Sequence, residues 1–305
     1  MSENETELDK EDLLQLLNEK LANLTELGQY GKNSEYIQEL GDIALIQLQL
    51  EEFEDSEKNY LVCLNHFKKQ RDRLGQAAVY GVLATLYFKK ESHLKSLEYY
   101  EKAYDIYDNL NQTEEKITCL KGIGNNYLKL NKFDNACDIF LECSAVCSDT
   151  NDIYNLLDCL GNLIYIHEKT QQWDVAFELY KKTLKAFKEI KDNKGIITSF
   201  FNLGILQKKN NELEEALRYF QKGTNVAIDA NYAESIIKGL GYVGETLFYL
   251  GKIKDAKNQF IKALHIAKKI KASNAIVQLE ILLESLGLQK HQITVELEEY
   301  EKSQK

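Results

Sequence analysis

The stretch "GIGNNYLKLNKFDNACDIF", from Gly122 to Phe140, places two small residues, Gly124 and Ala136, in apolar helix-like sequence. Glycine inside a helix costs roughly 0.5–1 kcal/mol relative to alanine, so a helical Gly124 needs a packing reason. Steps of 40 residues from Ala136 always meet a small residue, and four residues later always an aromatic one. The small residues are Ser56, Ser96, Ala136, Ala176, Ala216 and Ala256, and the aromatic residues are Tyr60, Tyr100, Phe140, Tyr180, Phe220 and Phe260.

A second repeated position confirms the period of 40. Its residues are Ala44, Ala84, Gly124, Ile164, Gly204 and Gly244, and the residue before each is aliphatic. Within each repeat the apolar residues recur at i, i+3, i+4 and i+7, which indicates two amphipathic helices joined by a short turn. The small residues, with Gly124, Gly204 and Gly244 among them, are therefore expected where two helices cross closely. Candidate N-caps between repeats are Asp72, Asn111, Asn151, Asp192 and Asn231.

The motif Ile123-Gly124-x2-Tyr127 followed by Ala136-x3-Phe140 resembles the tetratricopeptide repeat (TPR). Leu83-Ala84-x2-Tyr87 with Ser96-x3-Tyr100 is a second copy. The period is 40 instead of the usual 34, which is similar to the extended repeats of kinesin light chain and the Leu-Gly-Asn adaptors. This resemblance implies an all-α fold, a right-handed solenoid of antiparallel helix pairs that binds other proteins.

The repeats divide the chain into three parts. Residues 1–36 are expected to form an acidic tail and a capping helix near 13–27. Residues 37–276 carry the six repeats, and residues 277–305 complete a capping helix that starts near 274 and add a charged tail with a further helix at 292–302. Solenoid ends need such covers because the last repeat otherwise exposes its apolar face.

Composition narrows the function. The chain of 305 residues has no proline, which suits continuous helices, and its net charge of −10 disfavours nucleic acid or an anionic membrane as partner. The N-terminus does not resemble a signal or transit peptide, and no apolar run is long enough to span a bilayer. A cytoplasmic protein is therefore expected. Monomer and homodimer both remain open.

No catalytic or metal-binding motif stands out, so the sequence predicts neither enzymatic activity, nor a cofactor, nor a bound metal. His93 and His167 fall in positions where other repeats have large apolar or aromatic residues, which indicates packed rings. Cys143 and Cys147 lie one helical turn apart, and Cys119 and Cys159 share a repeat position. A zinc site needs four converging ligands. The six cysteines are therefore interpreted as reduced, buried thiols.

In the family that the chain resembles, the first helices of the repeats line a concave groove. One stripe of these helices repeats lysine at Lys89, Lys129, Lys169 and Lys209. Such a stripe suits an acidic peptide, although lysine at a helix C-terminus also complements the helix dipole. The candidate groove residues are Lys121, Asn125, Lys129, Asn162, Tyr165, Lys169, Asn202, Lys209, Tyr242 and Glu245.

The leading hypothesis is a non-catalytic scaffold or adaptor that binds a peptide segment of a partner protein. A peptide-sensing regulator similar to bacterial TPR receptors is an alternative, but only about 36 residues precede the first repeat. A co-chaperone with a carboxylate clamp is a further alternative. Lys121 and Asn125 match the first part of that clamp, whereas Tyr165, Phe201 and Ile205 occupy its remaining positions, so the clamp is incomplete.

Overall fold

The computed structural model describes residues 9–29, 31 and 33–303, and over these residues the chain forms fifteen α-helices and no strand. The predicted all-α class is confirmed. None of the described helices has the length and apolarity needed to cross a bilayer. The helices are α1 (Lys10–Gly28), α2 (Ser34–Gln49), α3 (Phe53–Gln70), α4 (Arg73–Lys89), α5 (His93–Asn109), α6 (Thr113–Lys129), α7 (Phe133–Asp149), α8 (Ile153–Lys169), α9 (Trp173–Glu189), α10 (Asn193–Lys209), α11 (Leu213–Asp229), α12 (Ala233–Tyr249), α13 (Ile253–Lys269), α14 (Ser273–Ser285) and α15 (Lys290–Ser303).

The chain divides into two compact units, residues 1–159 and 160–305. Each repeat has a first helix (α2, α4, α6, α8, α10 and α12) and a second helix (α3, α5, α7, α9, α11 and α13). In the first unit α4 contacts α5, α6 contacts α7, and α4 also contacts α6. In the second unit α10 contacts α11 and, more sparsely, α12. Each unit is therefore a stack of helix pairs built from neighbouring repeats.

The backbone repeats every 20 residues, which is half the sequence period. Twelve turns from residue 51 to residue 271 each place one residue in the left-handed region, with φ between 55° and 73°. At the end of α9, the Lys191 N–H donates to the Lys188 carbonyl at 3.2 Å and the Asp192 N–H donates to the Phe187 carbonyl at 3.0 Å. This is the Schellman arrangement that ends helices. One turn geometry therefore links both kinds of helix.

The N-cap prediction is correct for Asp72 and Asp192, whose carboxylates accept from the N–H groups of Gly75 and Lys194 at 2.9 and 3.0 Å. It is wrong for Asn111, Asn151 and Asn231. These three residues have φ of 55° and lie in the left-handed turn, not at the cap. Asparagine tolerates this conformation better than most residues, which explains its recurrence there.

Lys191→Gly is expected to stabilise the chain by up to about 1 kcal/mol, because glycine removes the strain that a Cβ causes at φ 56°. The greater conformational entropy of glycine in the unfolded chain offsets part of this gain. The matched control is Lys182→Gly, which places glycine in the middle of the same helix and should destabilise by about 1 kcal/mol. Chemical denaturation of both variants measures the effect. Shifts of the same sign would contradict this account of the turn.

Glycine in the first helix makes room for a phenylalanine of the second helix. A Cβ added to Gly124 would lie 2.6 Å from the Phe140 ring, and one added to Gly204 would lie 2.6 Å from the Phe220 ring. Both phenylalanines are buried. Where alanine replaces this glycine, in the first two repeats, the aromatic partner is a tyrosine instead. Residue size on one helix therefore matches ring type on the other.

The small residues of the second helices, Ser56, Ser96, Ala136, Ala176, Ala216 and Ala256, are all fully buried. The hydroxyl groups of the two serines have hydrogen-bond partners on the first helix of the same repeat. The Ser56 hydroxyl donates to the Ala44 carbonyl at 2.7 Å, and the Ser96 hydroxyl donates to the Ala84 carbonyl at 2.8 Å. The sequence placed these six residues at close helix contacts, and the structure has them in the core.

Both ends of the repeat array are covered by further helices. In the first unit, Leu17 of α1 packs with Ile43 and Ile46 of α2. In the second unit, Ile293 and Leu297 of α15 join the large apolar core of α10–α14. The helix expected near 13–27 is longer, at Lys10–Gly28, and the acidic tail at residues 1–8 lies outside the described residues.

Candidate peptide-binding surface

The repeated lysines lie at the ends of the first helices. Lys89, Lys129 and Lys169 are the last residues of α4, α6 and α8, and Lys209 is the last residue of α10; all four are exposed. In this position a lysine complements the partial negative charge of the helix C-terminus. Exposure leaves each ammonium accessible to a ligand as well.

In the first unit, Lys121 is already engaged by the protein. Its ammonium lies 2.6 Å from the Asp158 carboxylate and donates to the Asn155 side chain at 2.9 Å. Partial burial acts to lower the pKa of Lys121, but the hydrogen bond to Asp158 and that residue's charge outweigh it and raise the pKa. Lys121 therefore ties α6 to α8. The predicted clamp residue Asn125, on the same helix, is half-buried.

In the second unit, two of the repeated lysines lie over aromatic rings. The Lys169 ammonium is 5.5 Å from the centre of the Tyr165 ring, and the Lys209 ammonium is 4.6 Å from that of Trp173. Tyr165 is 46% exposed, so its ring is open to a ligand. Asn162, on the same helix, is half-buried and has interactions of its own.

The remaining predicted groove residues have different surroundings. Tyr242 packs into the core, with its ring 4.8 Å from that of Phe220 and 5.4 Å from that of Phe201. Glu245 pairs with the Lys208 ammonium at 2.7 Å. Asn202 is half-buried on α10. Tyr242 thus contributes mainly to packing, whereas Glu245 belongs to a surface ion pair.

Sequence reasoning missed two aromatic residues beside the lysines. The Lys208 ammonium lies 4.7 Å from the ring of Tyr249, which is 56% exposed, and Lys209 lies over Trp173. The repeat pattern offered a signal for both. Trp173 begins α9, and Lys209 and Tyr249 end α10 and α12, so the repeat defines all three positions.

The histidines have structural partners. The His93 ring nitrogen lies 3.2 Å from the side-chain oxygen of Asn126, a fully buried residue that also donates to the Ser96 hydroxyl at 2.9 Å. His167 pairs with Gln172 at 2.7 Å. The sequence interpreted both histidines as packed rings. For His93 this interpretation is correct, since its ring packs edge-on against that of Phe88 with 5.4 Å between the ring centres, and both histidines in addition have polar partners.

Three cysteines that the sequence treated as separate converge in the first unit. The Sγ atoms of Cys143, Cys147 and Cys159 all lie within 4.8 Å of one another, and all three residues are fully buried. Cys119, which shares the repeat position of Cys159, is buried elsewhere in the same unit. The convergence arises because α8 packs Cys159 against the face of α7 that carries the other two.

The paired helices and exposed ends of the first helices define a helical-repeat protein. A family model described as "Tetratricopeptide repeat" matches residues 36–109, 75–149 and 149–229. The chain belongs to the tetratricopeptide repeat family, and the resemblance predicted from the sequence is confirmed. This fold is typically a non-catalytic scaffold for protein interactions.

The chain is also similar to individual proteins. Regulatory protein RapD of Bacillus subtilis (strain 168) is 24% identical over 131 residues, which are 43% of this chain and 37% of RapD. The match therefore spans well under two thirds of that relative.

Solved structures share the fold at low identity. BtubC (BKLC) from P. vanneervenii matches at 17% identity and a TM-score of 0.57, over 72% of this chain and 92% of BtubC. The apo form of RapI matches at 14% identity and a TM-score of 0.53, over 82% of this chain and 97% of RapI. A structure described as a putative kinesin light chain of Podosopora anserina matches at 14% identity and a TM-score of 0.49, over 66% of this chain and 99% of that one.

Proposed function

We propose that this chain is a non-catalytic adaptor that binds an acidic peptide segment of a partner protein along the ends of the first helices in its second unit, at Lys169 and Lys209. The observation that carries the proposal is the pairing of exposed ammonium groups with aromatic rings, at Lys169 with Tyr165 and at Lys209 with Trp173. Lysines supply charge for a carboxylate, and the rings supply apolar contact area for side chains beside it.

Electrostatics supports an acidic ligand. The exposed lysines at the ends of the first helices supply positive charge in a chain whose net charge is −10, so they favour an acidic segment over a basic one. Complementary charge of this kind raises association rates and selects between partners more than it raises affinity. Each exposed charge pair contributes only about 0–1 kcal/mol, so several lysines have to act together.

The test combines charge reversal at Lys169 and Lys209 with a panel of equal-length synthetic peptides of different net charge. The parent is expected to bind acidic peptides, with affinity falling as salt rises because salt screens exposed charges. The double Lys→Glu variant should bind them at least tenfold more weakly, which is about 1.4 kcal/mol. Titrations at low and moderate salt measure both effects.

The matched control reverses two exposed lysines on a second helix of the same unit, Lys182 and Lys185 of α9. It changes the net charge equally, so a purely global charge effect would weaken binding in both variants. The proposal is wrong if the two variants behave alike with intact helicity, or if no acidic peptide binds the parent.

A peptide-sensing regulator is the second candidate, and the similarity to RapD favours it. The two functions differ in what peptide binding does. An adaptor holds its peptide without a large rearrangement, whereas a regulator changes conformation because the peptide binds one state more tightly. Small-angle scattering of the chain with and without a bound peptide distinguishes them, since only the regulator should change its radius of gyration.

The carboxylate clamp of a co-chaperone has less support. Lys121 is held by Asp158 at 2.6 Å, and Phe201, at a further clamp position, is buried in the core. A ligand carboxylate would have to displace the first interaction and would find no ammonium at the second position. The peptide panel includes free and amidated C-termini, and equal affinity for the two forms is expected.

A further inference from the structure

The buried cysteine cluster of the first unit has the composition of a ligand site. Cys143 and Cys147 are one turn apart on α7, and Cys159 faces them from α8, with all three Sγ atoms within 4.8 Å of one another. All three residues have no exposed surface. Three thiols that meet from two helices in a dry core offer three sulfur ligands to one central atom and exclude water from it.

Negative charge is unfavourable at this place. Cys143, Cys147 and Cys159 lie in a core without exposed surface, where no water can solvate a charge. Lys121 of α6 already has a carboxylate partner, because its ammonium lies 2.6 Å from Asp158. Burying an unpaired charge is expensive, so an occupant that leaves the site neutral is favoured over one that leaves an anion.

The charge of the central atom therefore selects the occupant. Three thiolates around Cu(I) carry a net charge of −2, and around Zn(II) a net charge of −1. Around a trivalent atom the net charge is zero. Zinc also prefers four ligands in structural sites, and among the described residues only these three groups converge here. Thiolates bind soft atoms preferentially.

We propose that Cys143, Cys147 and Cys159 form a binding site for a trivalent thiophilic metalloid, taken up as arsenous acid. Three As–O bonds break and three As–S bonds form, and each thiol proton leaves with a hydroxide as water. One arsenous acid and three thiols thus give one arsenic trithiolate and three waters, with no change of oxidation state. The product is neutral and links α7 to α8.

Native mass spectrometry after incubation with arsenous acid tests the site. The expected adduct is one arsenic per chain with three hydrogens lost. A two-thiol adduct would retain one hydroxyl and differ by one water. Because the thiols are buried, the chain is also refolded in the presence of arsenous acid, so slow access does not hide a site. Alkylation and peptide mapping should show protection of these three cysteines alone.

Cys159→Ala should weaken arsenic binding at least a hundredfold, since a two-thiol site remains. The control variant Cys63→Ala/Cys119→Ala removes two other buried thiols of the same unit and should bind like the parent. Circular dichroism checks that each variant folds. Peptide mapping of the parent chain tests the site even if a variant does not fold. The proposal is overturned by a two-thiol adduct of the parent, by arsenic binding in Cys159→Ala that is as tight as in the parent, by zinc held in stoichiometric amount or displacing arsenic, or by no adduct in either preparation.

Discussion

Gly244→Ala is expected to lower the stability of the second unit by roughly 1–3 kcal/mol, the usual range for overpacking a filled core. A Cβ at this position would lie 2.5 Å from Cε1 of Phe260, whose side chain is 2% exposed and therefore has no room to retreat. Either the ring leaves its rotamer or α12 moves away from α13. Both responses lose contacts across the crossing of the sixth repeat.

The matched control is Gly241→Ala, three residues earlier in the same helix, where an added Cβ would meet no atom within 4 Å. Alanine there should raise the stability by about 0.5–1 kcal/mol, because glycine is a poor helix former and nothing opposes the methyl group. Guanidinium denaturation, with hydrogen exchange over α12 to localise the effect, measures both. If the two substitutions shift the midpoint in the same direction, the glycine does not serve the phenylalanine.

Ala216→Leu is expected to cost roughly 1–3 kcal/mol by the same mechanism acting from the second helix. Ala216 is fully buried on α11 and belongs to the large apolar core of the second unit. The extra methylenes of leucine have to displace side chains at a close crossing. Ala136→Leu tests the equivalent position of the third repeat and should behave alike, because Ala136 is also fully buried.

The control for leucine itself is Ala22→Leu, at an exposed position of α1. Alanine and leucine are both good helix formers, so this substitution should change stability by only a few tenths of a kcal/mol. Denaturation midpoints of all three variants are compared under one set of conditions. Unchanged midpoints for both Ala216→Leu and Ala136→Leu would mean that the repeat register is misplaced.

The sequence predicted the helix pairs because the repeat signal is local and occurs six times. An apolar spacing of three and four residues fixes which face of a helix is buried, and short turns fix that successive helices are antiparallel. The turn chemistry was harder to read. Asn111 and Asp72 both precede a helix, yet the first takes the left-handed turn and the second caps the helix, since their positions differ by one residue.

The candidate binding residues likewise include features that the sequence predicted and features that it did not. The sequence located the exposed lysines, because the end of each first helix follows from the repeat. It did not predict that the Tyr242 ring packs against Phe220 in the core or that Lys121 forms an ion pair with Asp158. Those outcomes depend on which side chain of a neighbouring helix comes within reach, and one amphipathic pattern is compatible with several such neighbours.

Taken alone, the amino-acid sequence determined the all-α class, the 40-residue repeat, the small residues at the crossings and the family, because each depends on spacing within one or two helices. Only the tertiary structure decided that Gly244 accommodates Phe260 and that Cys159 meets Cys143. These contacts require the rotation of one helix about its axis relative to the next. That rotation is set by the packing of whole side chains, which a pattern of apolar and polar positions does not encode.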